Sequence, residues 1–299
     1  MEKNHYNNII TRSKILKYTR EFFDNLSFIE VNTNTAIKNP APEEYIESIN
    51  CSNSRFLRCS PEIAMKILLT EGFQKIYQIG PCFRADEFGR KHREEFTMLE
   101  FYQVGIDYME LLKISCDLIK YIAEKLYGNS LITYSGKKID LAKVEIISVE
   151  EAFLKYCNMS YSEAEEKNIF DELMVTEIEP NLGINCITAL VDYPANRASL
   201  ARLKKSDRRF AERYELYIDG VELANAFGEL TDLTIQKQRF DEANKFRAAN
   251  NMLAYPECTD FFAALTKGLP DSSGCAIGFD RLTMIFCNTQ NIADVLIEF

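Results

Sequence analysis

The sequence predicts an α+β fold, an antiparallel sheet flanked by helices. Three observations lead there. In the last third, segments run strand, strand, helix, helix, strand, helix over about 210–218, 221–227, 233–250, 258–267, 274–279 and 280–287. Strands that follow each other directly, without regular βαβ alternation, form antiparallel sheets. The chain has 299 residues, 46% hydrophobic and 27% charged, enough for a large core in one or two domains. No internal repeat or low-complexity linker divides it, so 1–299 reads as one domain with a helical insertion at about 148–205.

From the N-terminus, Ile15, Thr19, Phe22 and Leu26 recur at helical spacing and predict a helix over 9–26. The run 28–31, Phe-Ile-Glu-Val, is β-like, and 32–54, with Pro40 and Pro42, reads as loop. Ser60 as N-cap and Pro61 at the first position open a helix that Gly72 closes. Residues 74–79 and 96–104 are strand candidates, and a helix over 108–126 stops at Gly128. Residues 148–180 are expected to hold two helical segments, the first opening with the capping box Ser148-Val-Glu-Glu151.

Composition excludes several classes. No apolar run approaches the about 18 residues of a membrane span, and the polar stretch 1–10 lacks a signal-peptide core. Nine cysteines without a CxxC pair and only two histidines argue against a disulfide framework or a zinc site, and a reducing cytoplasm is expected. The net charge of -10 argues against a long RNA track, because phosphate neutralisation needs a basic excess, yet leaves room for a local nucleotide pocket.

There is no P-loop and no GxGxxG after a strand. Two other segments suit a nucleotide. In 80–100 a strand enters a loop holding Arg84, Arg90, Lys91, His92 and Arg93, and a strand returns past Phe96. Arginine forks onto phosphate oxygens, and Phe96 is placed to stack on a base. In 274–282 a strand of small residues runs into a helix that begins with Asp280 and Arg281. Taken singly, each is equally a charged hairpin or a tight strand–helix turn. Their order and separation make the combination specific.

Together these segments resemble the signature motifs of class II aminoacyl-tRNA synthetases. Phe83-Arg84-Ala85-Asp86 resembles motif 2, and Gly278-Phe-Asp-Arg281 resembles motif 3. The runs His92-Arg-Glu-Glu-Phe-Thr-Met-Leu-Glu100 and Gly220-Val-Glu-Leu-Ala-Asn-Ala-Phe-Gly-Glu-Leu-Thr-Asp232 resemble those of lysyl enzymes. Motif 1, at 28–31, begins after one helix, where lysyl-tRNA synthetases carry an anticodon-binding domain first. The chain is therefore more similar to the shorter paralogues, the elongation factor P lysine lysyltransferases, in 42–46, in 59–62 and in Ala276, which replaces a glycine of the tRNA enzymes.

The resemblance implies adenylation of a lysine-type amino acid, (R)-β-lysine above all, at the expense of ATP with Mg²⁺. Transfer to a lysine of elongation factor P is implied, with no tRNA, no membrane and a homodimer. It implies Arg84 and Arg281 as catalytic arginines on the phosphates. Asp86, Arg93, Phe96, Glu222, Leu223 and Gly278 complete the ATP site. Ser60, Glu62, Glu100, Tyr102, Asn225, Glu229 and Ala276 form the amino-acid site, with Glu222 and Glu229 as metal ligands. An acidic pocket suits two ammonium groups, and positioning with charge neutralisation carries this chemistry. Four departures stand out: Asp86 for glutamate, Arg93 for asparagine, Ala226 for a glycine, where the added β-carbon is expected either to narrow the pocket or to exclude a backbone conformation with φ > 0, and Asn34 for the motif 1 proline. They leave open a catalytically weak or dead paralogue acting as a sensor. A ligase forming amides with a small amine is the other alternative.

Overall fold

The computed structural model describes residues 3–298. Its centre is a nine-stranded sheet ordered β1-β5-β6-β12-β11-β10-β9-β8-β7. The strands are β1 (Ile29–Glu30), β5 (Lys75–Phe83), β6 (Glu95–Val104), β7 (Leu131–Tyr134), β8 (Lys137–Ser148), β9 (Cys186–Val191), β10 (Arg213–Ile218), β11 (Val221–Gly228) and β12 (Ser272–Gly278). A separate small sheet joins β2 (Ala36–Ile37), β3 (Asn50–Cys51) and β4 (Arg55–Leu57), inside and just after the stretch expected to be loop.

The α+β expectation holds, with one difference: the sheet is mixed. β1 pairs β5 in parallel and β8 pairs β9 in parallel, while the other pairings are antiparallel. Parallel neighbours need a crossover connection of a dozen or more residues. Residues 149–185 provide one between β8 and β9. Their helical pieces α4 (Val149–Ala152), α5 (Tyr161–Glu166) and α6 (Phe170–Leu173), with π-helical turns at Phe153–Cys157 and Met174–Ile178, pack on their own apolar cluster. Helix in the expected insertion at 148–205 is thus concentrated in 149–181, with one further 3-10 turn at Ala195–Arg197, and β9 belongs to the central sheet.

Period-two alternation gives the sheet two unlike faces. Leu99, Phe101, Cys275, Ile277, Ala224, Ala226, Tyr214 and Leu216 join the main core, together with residues of α1 (Lys3–Asn25), α3 (Tyr108–Tyr127) and α9 (Phe279–Cys287). The opposite face is more polar. One row across it reads Gln78, Glu100, Ala276, Asn225, Glu215, and the next reads Ile76, Tyr102, Gly274, Phe227, Arg213. Helices α2 (Glu62–Thr70), α7 (Leu233–Ala249) and α8 (Thr259–Lys267) wall this face around a second cluster that includes Met65, Leu69, Phe240 and Phe261.

Local chemistry fixes the ends. Asp107 and Glu110 form a capping box on α3, and Gly128 ends it with φ 76°. Ser148 and Glu151 form the expected box on α4. At α2 the expectation is shifted by one residue: Pro61 occupies the N-cap and the helix begins at Glu62. Ser60 still accepts a hydrogen bond from the Glu62 N–H at 2.9 Å. Among the described residues, no helix is long and apolar enough to cross a membrane.

Candidate active site

The polar sheet face opens into a cleft of about 630 Å³ bordered by α2, α7, the loop after β5 and the start of α9. Ser60, Glu62, Arg84, Arg93, Phe96, Glu100, Tyr102, Glu222, Leu223, Asn225, Ala276, Gly278 and Arg281 all line it. Thirteen of the fifteen residues singled out from the sequence therefore meet in one cavity. Asp86 and Glu229 do not line it.

One end is acidic. Glu100, only 1% exposed, accepts hydrogen bonds from Ser60 Oγ at 2.6 Å and Tyr102 Oη at 2.5 Å. Burial pushes its carboxyl up to about 8, with the nearby Glu62 charge adding to the effect and the two hydroxyl donors opposing it. The next row of the sheet is tight at Gly274. A Cβ there would lie 2.1 Å from the Tyr102 ring and 2.6 Å from Glu229 Oε1. Glycine is required at this point so that Tyr102 can lie across β12.

The other end is cationic. The Arg84 guanidinium rests over the Phe96 ring, 5.1 Å from its centroid, and lies 3.6 Å from Glu87. Phe96, expected to stack on a base, thus gives one face to Arg84. Arg281, in the first turn of α9, reaches Glu222 O at 3.1 Å and Glu222 Oε2 at 3.3 Å, and lies 2.7 Å from His92 Nε2. Burial first, and then the Arg281 charge, lower the His92 pKa, which leaves Nε2 as an acceptor for the guanidinium. Asp280 beside it receives the Thr97 N–H and Arg12, both at 2.6 Å, and so ties α9 to β6 and α1.

Several sequence expectations are corrected. Asp86 is exposed, at φ 61°, and its neighbour Glu87 faces the cleft instead. Arg93 lines the cleft but spends its donors on Glu298 at 2.6 Å and on the Gly89 carbonyl at 2.7 Å. Ala226 is fully buried in the main core, on the sheet face away from the cleft, so its Cβ cannot narrow the pocket. Leu223 borders the cleft while its side chain belongs to the same core.

Glu222 and Glu229 were expected to share Mg²⁺. Glu222 faces the cleft beside Arg281, whereas Glu229 is fully buried and lies 2.5 Å from the Lys66 ammonium. Among the described residues no three His, Cys, Asp or Glu side chains gather into a metal cluster. Magnesium commonly takes one or two carboxylates plus substrate phosphates. Glu222 fits that donor set; Glu229 does not.

Sequence reasoning missed Glu87, Lys66 and the Arg213–Glu215 pair. Glu215 accepts from Tyr193 at 2.5 Å, Tyr217 at 2.6 Å and Arg213 at 2.6 Å, and Arg213 also reaches Asn225 at 3.3 Å. This network holds Asn225 from the side. The cysteines nearest the site are packing residues: burial pushes the Cys82 and Cys275 thiols up to about 12.

The model of a known family, tRNA synthetases class II (D, K and N), matches residues 1–297. The chain belongs to that family. Within it, the class II chain is 36% identical to a lysine–tRNA ligase of Carboxydothermus hydrogenoformans, over 96% of this chain but 64% of the relative. It is 34% identical to the elongation factor P–(R)-β-lysine ligases of Enterobacter sp. (strain 638) and Proteus mirabilis, over 97% of this chain and 94% of each relative. The chain thus spans less than two thirds of the length of the tRNA ligases it matches and nearly all of the shorter ligases.

Proposed function

We propose that this class II chain is an AMP-forming ligase that activates a lysine-type diamino acid and passes it to a lysine side chain of elongation factor P. The observation that carries the reading is the polarity of the cleft: Glu62 and Glu100 at one end, Arg84 and Arg281 at the other. A zwitterionic diamino acid lies along such a gradient with its ammonium groups among the carboxylates. Its carboxylate then points to Arg84.

In the first step a substrate carboxylate oxygen attacks the α-phosphorus of ATP and pyrophosphate leaves. Arg84 orients the attacking carboxylate against the α-phosphate, and Arg281 stabilises the charge of the departing pyrophosphate. A magnesium ion held by Glu222 would supply further charge neutralisation. In the second step a neutral lysine amine attacks the acyl carbon and loses one proton to solvent, an amide forms, and AMP leaves with the bonding electrons. The near full-length match to the (R)-β-lysine ligases supports a protein acceptor. Ile29, 52% exposed on the edge strand β1, supports the expected homodimer through this edge.

The test is amino-acid-dependent ATP–pyrophosphate exchange with α-lysine and (R)-β-lysine, then transfer of labelled amino acid to elongation factor P or to total tRNA. Exchange with either diamino acid and label on the protein are expected. No exchange at saturating ATP and Mg²⁺ would refute the ligase. Label on tRNA alone would make the chain a tRNA ligase.

A further inference from the structure

The segment between β2 and β3 lines the cleft with its residues 42–46. It is pinned from α7. Arg247, fully buried, donates to the Glu43 and Ile46 carbonyls, both at 2.7 Å, and to Glu47 Oε2 at 2.5 Å. The Ala85 N–H donates to the Glu47 carbonyl at 2.8 Å, which ties the same segment to the residue next to Arg84. Glu43 is thereby held at a fixed place in the cleft, and of the charges around the Arg84 guanidinium its carboxylate acts on it most strongly.

The other acids of the cleft are engaged or outside. Glu62 lies 2.5 Å from the Lys66 ammonium, and Glu100 accepts from Ser60 and Tyr102. Glu215 accepts from Arg213, Glu222 from Arg281 and Asp280 from Arg12. Glu87 lies 3.6 Å from Arg84, while Glu44 and Glu242 are exposed. His92 gives its Nε2 to Arg281 at the phosphate end. Glu43 is half-buried, and among the described residues only its backbone carbonyl is bonded; its carboxylate takes no hydrogen bond and no ion pair. Burial pushes that carboxyl up, against the pull of the Arg84 charge, and a carboxylate of raised proton affinity is the better proton acceptor near neutral pH.

We infer that Glu43 is a catalytic residue of the second step: its carboxylate takes the proton that the acceptor amine sheds while attacking the acyl carbon beside Arg84. The new C–N bond uses the lone pair of the amine. The bond from the acyl carbon to the AMP oxygen breaks, and its electrons leave with AMP. The proton passes from nitrogen to Glu43 and from there to solvent, which reaches this half-buried carboxylate. The first step needs no such group, because its nucleophile is a carboxylate with no proton to lose. The inference rests on the ligase reading above and deepens it. Arg247 is the positioning residue of this arrangement, since it holds the Glu43 backbone and does not itself line the cleft.

The test separates the two steps. Adenylate is formed on the full chain from ATP, Mg²⁺ and labelled lysine or (R)-β-lysine and then mixed with elongation factor P. Transfer is followed in a single turnover, and ATP–pyrophosphate exchange, which involves no acceptor, is the reference. Glu43→Gln keeps the size of the side chain and removes the proton acceptor. Its transfer rate is expected to fall about 10²-fold or more, and by at least about tenfold more than its exchange rate. Glu43→Asp keeps a carboxylate one methylene back and should transfer faster than Glu43→Gln. A transfer rate in Glu43→Gln within about twofold of wild type, or a loss no larger than that in exchange, overturns the inference. So does a Glu43→Asp no faster than Glu43→Gln, because the carboxylate is then not the acting group. Weakened use of lysine in exchange, with transfer of the formed adenylate intact, would place Glu43 on the amino acid and also overturn it. A wild-type chain that forms adenylate but passes no label to elongation factor P overturns both the inference and the acceptor it rests on. Wild-type transfer with unchanged variants overturns the inference alone.

Discussion

Arg281 and Glu100 mark the two chemical ends of the cleft, and each makes a prediction. Arg281 reaches Glu222 and His92 from the first turn of α9. Its removal deletes a donor aimed at the leaving pyrophosphate. Arg281→Ala is expected to lower the exchange rate by about 10²–10³, the usual loss for one such donor. Circular dichroism should remain that of wild type, and a near-wild-type rate would show that this arginine does not serve the phosphates. Glu100 titrates near 8 in the folded chain against 4.5 in its ordinary state. Between those values the folded chain holds a proton that the unfolded chain has lost. Stability without ligand should therefore fall as pH rises from about 4.5 to 8, and Glu100→Gln should flatten that slope. Lysine binding should move the other way. An ammonium pairs only with the ionised carboxylate, which Glu62 opposes and Ser60, Tyr102 and Lys66 support. Affinity measured from pH 6 to 8 should rise in wild type and stay flatter in Glu100→Gln.

Strand β11 shows what a one-dimensional reading reaches and where it stops. Its position and its Glu222 and Asn225 were legible from the motif; that both face the cleft was not, because residues three apart share a face only across the irregularity that the pairing with β10 shows between Glu222 and Ala224. Period two places Ala226 on the sheet face opposite Asn225, in the main core. Its Cβ lies in the core, so Ala226→Gly should cost about 1–2 kcal/mol of stability, through the lost burial of a methyl group and the added backbone entropy of the unfolded chain. Lysine affinity should stay unchanged. A thermal melt and a binding titration decide this, and a changed affinity with an unchanged melt would return Ala226 to the pocket wall. Strand β9 was missed because Cys186–Val191 is a short, largely apolar run without alternation, which periodicity alone does not separate from buried helix. Strand β8 was missed for the opposite reason: much of Lys137–Ser148 is exposed, so its alternation is weak. The two- and three-residue strands of the small sheet are too short for any period. Lys66 was half legible. Its i,i+4 relation to Glu62 stands in the sequence, but its second partner, Glu229, is remote in the chain and reaches it only through the fold.

At the scale of the whole molecule, the cleft joins parts that the backbone brings together from distant stretches: α2 from one side, the loop after β5, and the adjoining strands β6, β12 and β11. A ligand spanning the cleft ties these parts in the folded chain and meets none of them assembled in the unfolded one. Its binding free energy is then added to folding stability, about 2.7 kcal/mol at a concentration one hundred times Kd. For a chain of this size the melting temperature should rise on the order of 5 °C. Lysine alone should produce a shift that norleucine does not, because the acidic end selects for the second ammonium. ATP should add its own shift in the presence of Mg²⁺, through Arg84, Arg281 and Glu222. Chelating the metal should remove most of the ATP shift and leave the lysine shift intact, since Glu62 and Glu100 act on the amino acid without a metal. Loss of both shifts on chelation would mean that the metal organises the acidic end as well, and that Glu229 leaves Lys66 to hold it.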